Sequence, residues 1–233
     1  MKLRDQAYHA FLQHLLDRRL LPGAFVSQRE LVELTGYPLG AVREMIPRLE
    51  ADGLMQAIPQ RGLQVAAVDI RLVREAFQLR EIVESAAVAH FATTAANDAV
   101  AALRTPLDRI IAAAARKITP VLLAEAQALD WAFHDAIVAH MGNGLLTEVH
   151  RVNVIRIRII MQDRASLSPE ILPPACGEHA AILDAIARHD PEAATAALRA
   201  HLDSARRRAL GIAAIAPPIT ENQSRHTPTR RTA

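Results

Sequence analysis

Four side chains in the second half of the chain have the types that hold a metal ion: Asp130, His134, His179 and His201. Asp130 and His134 are four residues apart, so on a helix both leave the same face. His179 opens a later predicted helix, and His201 lies midway along the last one. One carboxylate and three imidazoles can hold a divalent ion such as zinc, nickel or manganese and leave coordination positions open for a ligand. Spacing alone suits a surface Asp/His pair better than a ligand set. A single His179 or His201 reads more simply as a surface or internally satisfied histidine.

A second group is basic. Arg43 falls on the outer face of a predicted helix over 39–52, while Val42 and Ile46 face inward. The N-terminal side chains of such a helix reach base edges in a major groove. Arg29 lies in the first turn of the preceding helix, where backbone amides and a guanidinium can meet a phosphate. Arg61-Gly62 marks a hairpin tip that can enter a minor groove. Each arginine alone is compatible with a solvated surface charge; the argument rests on three of them falling on three consecutive elements. Further along, Arg156 and Arg158 suit carboxylate recognition, with a surface ion pair the simpler reading for one of the two. Cys176 reads as a small residue at a helix start. His90, His140, His150 and His189 read as helix-surface or loop residues.

The elements that must position these groups follow from periodicity and punctuation. Ala7, Phe11, Leu15 and Leu16 recur at helical spacing within 4–19, before Leu21-Pro22-Gly23 breaks the pattern. Ser27-Gln28-Arg29-Glu30 has the form of a capping box for a helix over 28–35 that ends at Gly36. A helix from about Gly40 to Asp52 follows, with Gly53 just beyond it in the place where a left-handed residue is easiest. Residues 54–58 and 63–66 flank Pro59-Gln60-Arg61-Gly62 and predict a β-hairpin. Three helices and a hairpin in this order describe a winged helix-turn-helix over 1–67. Beyond Asp69, a plausible N-cap, the pattern predicts helices at 70–96, 97–115, 119–141, 144–164, 176–189 and 191–212. Asn97 and Asp190 read as N-caps, with Pro191 at a first helical position. Leu167 to Pro174 reads as a loop. The fold class is therefore mainly α: a winged helix, an all-helical bundle over 70–212, and a polar tail at 213–233 expected to be disordered.

Composition fits this division. The chain has 233 residues, 51% of them hydrophobic but only 3% aromatic, which favours helices over sheets. No apolar run approaches the ~20 residues that span a bilayer. No signal peptide is visible, and the single cysteine cannot form an internal disulfide. A cytoplasmic protein without membrane partners is expected. The net charge is +2, and residues 1–66 hold eight basic and seven acidic side chains. DNA binding then requires the charge to be arranged on one face.

The N-terminal region resembles the GntR family of transcription regulators. The matching stretches are Leu21-Pro22-Gly23, Ser27-Gln28-Arg29-Glu30-Leu31, Val42-Arg43-Glu44, Leu49-Glu50-Ala51-Asp52-Gly53-Leu54 and Arg61-Gly62. The resemblance implies DNA contacts by Arg29, Arg43 and the wing at Gly62. It has one departure: Leu39 stands where the family often has an arginine. The C-terminal region resembles the FadR-type (FCD) ligand-binding domain, through Leu79-Arg80 with Glu84, Asp130-Trp131-Ala132-Phe133-His134, Glu178-His179 and His201-Leu202. That resemblance implies a metal on Asp130, His134, His179 and His201, a small carboxylate effector bound to it, and Arg80 near the effector.

The function expected is that of a homodimeric regulator binding a pseudo-palindromic operator, with a small organic acid controlling its affinity. Two alternatives stand beside it. A metal-dependent hydrolase would use the same open site with Glu178 or Glu125 as general base. A purely structural metal would leave operator affinity indifferent to ligands.

Overall fold

In the computed structural model, which describes residues 1–212, the chain forms a small head and a helical body. The tail expected at 213–233 lies outside the described residues. The head comprises α1 (Leu3–Leu16), β1 (Phe25–Val26), α2 (Gln28–Thr35), α3 (Leu39–Ala51), β2 (Met55–Ile58) and β3 (Gly62–Val65). Its three strands lie in the order β1-β3-β2, all antiparallel. β1 pairs Val26 with Leu63 and extends the predicted hairpin by a strand too short to show any alternation. The capping box is present: Ser27 Oγ accepts from the Glu30 amide at 3.2 Å, and Glu30 accepts from the Ser27 amide at 2.7 Å. Gly36 and Gly53 take φ of +74° and +64° and stop α2 and α3. Tyr8, Phe11, Leu15, Leu31, Met45, Leu49 and Leu54 fill the head core.

The body follows as α4 (Ile70–Thr94), α5 (Asn97–Ala114), α6 (Pro120–Ala139), α7 (Gly144–Arg164), α8 (Leu172–Ala187) and α9 (Pro191–Ala209). Asp69 and Asp190 are N-caps, accepting from the Leu72 and Ala193 amides. Asn97 is not a cap. It is already helical, Ala96 is the extended residue before it, and Asp98 accepts from the Ala99 amide. The segment read as a loop up to Pro174 also ends early. Pro173 and Pro174 sit in the first turn of α8, where a missing amide has no intrahelical partner to lose. His179 therefore lies well inside α8 rather than at its start. Among the described residues no helix is long and apolar enough to cross a membrane.

α7 is shared between the two parts. Ile155 and Ile159 pack into the head core, while Ile157 and Ile160 pack against Val73, Phe77 and Ala205 of the body. Asn153 donates to the Ala76 carbonyl at 2.9 Å, tying the same helix to α4.

Candidate metal centre and nucleic-acid face

Asp130 and His134 leave one face of α6, His179 comes from α8 and His201 from α9. Their ligand atoms all lie within 4.8 Å of one another. His179 Nε2 is 3.5 Å from His134 Nε2 and 3.4 Å from Asp130 Oδ1. The three imidazoles are buried and Asp130 is partly exposed. For His134 and His179 the surroundings favour the neutral ring. Burial and the Arg80 charge lower the pKa of His134; burial and the facing His201 and His134 rings hold that of His179 well below its ordinary value. A neutral imidazole is the form that ligates a metal.

Two buried or half-buried carboxylates orient the rings from behind. Glu84 of α4 places Oε2 2.7 Å from His134 Nδ1, and Glu178 of α8 accepts from His201 Nδ1 at 2.9 Å. A proton on His201 Nδ1, donated to Glu178, leaves Nε2 of that ring as its free donor atom, and at His134 the carboxylate stands against Nδ1 while Nε2 faces His179. Burial alone would raise the Glu84 pKa, but the Arg80 guanidinium at 2.9 Å and the neighbouring histidines hold it well below the carboxylate range. The donor set, tautomers and outer carboxylates thus fit a divalent ion.

The cavity beside this cluster is tight. Arg80, Asp130, Trp131, His201 and Arg208 border a space of about 30 Å³, well below the ~300 Å³ at which small-ligand pockets begin. Arg80 is therefore brought to the site. Arg156 and Arg158 are not. Arg156 donates to the Asp52 carbonyl at the end of α3, and Arg158 stacks 5.3 Å from the Trp131 ring centroid on the head side of α7. Spacing could not tell these apart, because alternate positions on α7 face the head and the body.

One other reading is corrected by burial. His150 is not a surface residue: it is buried, with Nε2 3.0 Å from Asp135 and Nδ1 3.8 Å from Glu84. Cys176 is buried within α8, and desolvation and the Asp130 charge push its thiol pKa up, away from reactivity. The general bases nominated for hydrolysis are not placed for it. Glu178 is engaged by His201, and Glu125 is exposed on α6.

On the head, Arg29, Arg43 and Arg61 are all exposed. Arg29 is paired with Glu33 at 3.1 Å, Arg43 donates to Gln28 at 2.9 Å, and Arg61 lies 4.3 Å from the Phe25 ring centroid. Each is held loosely by an exposed neighbour, so a phosphate or base edge can replace that neighbour at little cost. The first turn of α3 begins at Pro38 without any side-chain cap and without an acidic residue, which leaves its amides directed outward beside exposed Leu39. Gly62 takes φ of +95°, and a Cβ there would stand 3.3 Å from the Val26 carbonyl. The wing tip therefore requires glycine. Pro47 inside α3 removes the amide that would bond the Arg43 carbonyl, a break unnoticed in the periodicity.

Comparison with known proteins gives two family matches. Residues 3–65 match the model of bacterial regulatory proteins of the gntR family, and residues 75–204 match the FCD domain. An uncharacterized HTH-type transcriptional regulator in an unstable DNA locus of Streptomyces ambofaciens is 29% identical over 200 residues, covering 85% of this chain and 81% of the relative. An HTH-type regulator of Agrobacterium vitis is 28% identical over 136 residues, covering 57% of this chain and 77% of the relative. Among solved structures, a transcriptional regulator of the GntR type from Rhodococcus sp. RHA1 superposes with a TM-score of 0.72 at 22% identity, covering 91% of this chain and 99% of that one. McbR/YncC of E. coli gives 0.70 at 20% identity, covering 88% and 95%.

Proposed function

This chain belongs to the GntR family of bacterial regulatory proteins and carries an FCD domain, and from that premise we propose that it is a metal-dependent sensor of a small organic acid whose binding sets operator affinity. The observation that carries the reading is the convergence of Asp130, His134, His179 and His201 within 4.8 Å, with Glu84 and Glu178 fixing two of the rings. A zinc, nickel or manganese ion bound there would supply open positions to a carboxylate. Arg80 borders the adjoining cavity and offers a guanidinium to the same anion.

With room for about 30 Å³, that cavity admits an acid only if the surrounding helices move apart. Such an effector binds the opened bundle better than the closed one, which is the differential affinity that regulation requires. α7 packs on both parts of the chain and is the route by which the movement reaches the head. A homodimer would set one winged helix on each half-site, with α3 in the major groove, Arg29 on phosphate and Arg61-Gly62 in the minor groove. The protein acts in the cytoplasm, where its operator lies.

The tightness of the cavity favours one competing reading, an ion that only stabilises the bundle. A gel shift with the promoter next to the gene, run with hydroxy acids, sugar acids and dicarboxylates on metal-loaded and chelator-treated protein, separates the two. Sensing requires that one of these acids change operator affinity only when metal is present; no change with any acid supports the structural ion.

A further inference from the structure

We propose a second small-molecule site, apart from the histidine cluster, in the cleft between head and body, built to take an organic anion with an apolar frame. The cleft encloses about 420 Å³, within the range of small-ligand sites. Leu12 and Leu16 of α1 form one wall, and Ala139 of α6 with Val154 of α7 form the other. Arg151 and Arg158 of α7 border it. The two arginines differ. Arg151 is engaged by Glu148 at 2.7 Å. Arg158 is held only by the face of Trp131; its Nε is buried without a hydrogen-bond partner, and no carboxylate of the described residues pairs with it. The acid on the lining, Asp135, is instead 3.0 Å from His150 Nε2.

Arg158 is half-buried, and its planar guanidinium, paired with no carboxylate of the described residues, matches an entering carboxylate in two-point geometry while the leucines and Val154 take the frame of the acid. None of the four residues of the histidine cluster borders the cleft, so this site has no need of a metal. Its walls belong to both parts of the chain. The occupant's affinity therefore depends on how the head sits on the body, and its binding biases that arrangement.

The test is isothermal titration calorimetry of full-length, chelator-treated protein with 2-naphthoate, an apolar anion small enough for the cleft. Thermal melts establish that each variant is folded. Wild type and His134→Ala are expected to bind the probe saturably and alike. Arg158→Gln is expected to weaken binding by about tenfold or more, the worth of a charge-assisted hydrogen bond. Ala139→Trp, at an exposed position on the wall, fills the cleft and is expected to abolish binding. It also carries the test should Arg158→Gln not fold. The proposal is overturned if wild type takes up no probe at millimolar concentration, or if folded Ala139→Trp binds as wild type does. Loss of binding in His134→Ala overturns it too, because the probe would then sit at the histidine cluster.

Discussion

Arg43 and Glu84 show how differently single side chains serve this molecule. Arg43 is exposed and held by one neutral partner, Gln28, so its removal leaves the fold untouched. Arg43→Ala is expected to weaken operator binding by about tenfold or more in a gel shift, as loss of a base-directed arginine costs about 1–3 kcal/mol. Unchanged binding would remove α3 from the groove. Glu84 is buried between Arg80 and His134. Glu84→Gln keeps the shape but loses the charge that orients the imidazole. Metal affinity measured by competitive titration is expected to fall by about 10–100-fold, and a thermal melt should show lower stability because Arg80 is left buried beside a neutral group. Full metal affinity in that variant would deny Glu84 its orienting part. The His134 tautomer rests on this carboxylate, and its pairing with Glu84 joins residues fifty positions apart in sequence, which no local pattern can announce.

At the scale of elements, the punctuation of the head is strict. Gly53 ends α3 with φ of +64°, and a Cβ there would stand 3.2 Å from Arg156 Nη2. Gly53→Ala is expected to destabilise the protein by about 1–2 kcal/mol, from left-handed backbone strain alone, read from the midpoint of urea unfolding. A midpoint equal to wild type would show that the turn tolerates a side chain. Ser27→Ala breaks half of the capping box on α2 and is expected to cost about 1 kcal/mol by the same measurement. These sites were legible in the sequence because caps and turns are local: the residues that satisfy the backbone lie within a few positions of it. The start of α8 was misread for the converse reason. Pro173 and Pro174 signal a break when read in isolation, yet in a first turn they are compatible with helix, and burial of Leu172 against the body decides between the two.

For the whole molecule, the consequence of the cluster is linkage. An ion that binds only the folded bundle stabilises it by about 2.7 kcal/mol at a hundred times its Kd. For a chain of this size that raises Tm by roughly 5–10 °C. Zinc, nickel or manganese added to chelator-treated protein is expected to produce such a rise, reversed by chelator and absent in His179→Ala. An identical rise in that variant would place the ion elsewhere. Because α7 is packed into both hydrophobic cores, the head is expected to melt with the body rather than before it, as a single calorimetric transition.

The amino-acid sequence alone determined the order of the helices and the hairpin, the caps at Ser27, Asp69 and Asp190 though not the one read at Asn97, and the residue types available for metal and DNA. Each of these depends on neighbours a few positions away, through backbone hydrogen bonds and the periods of helix and strand. Only the tertiary structure decided that His134, His179 and His201 meet, that His150 is buried while His90 is not, and that Arg80 faces the cluster while Arg156 reaches the head and Arg158 borders the cleft between head and body. Those outcomes depend on how helices rotate and cross when their apolar faces are buried together. That packing is set by side-chain volumes from every helix at once, and no window of sequence contains it.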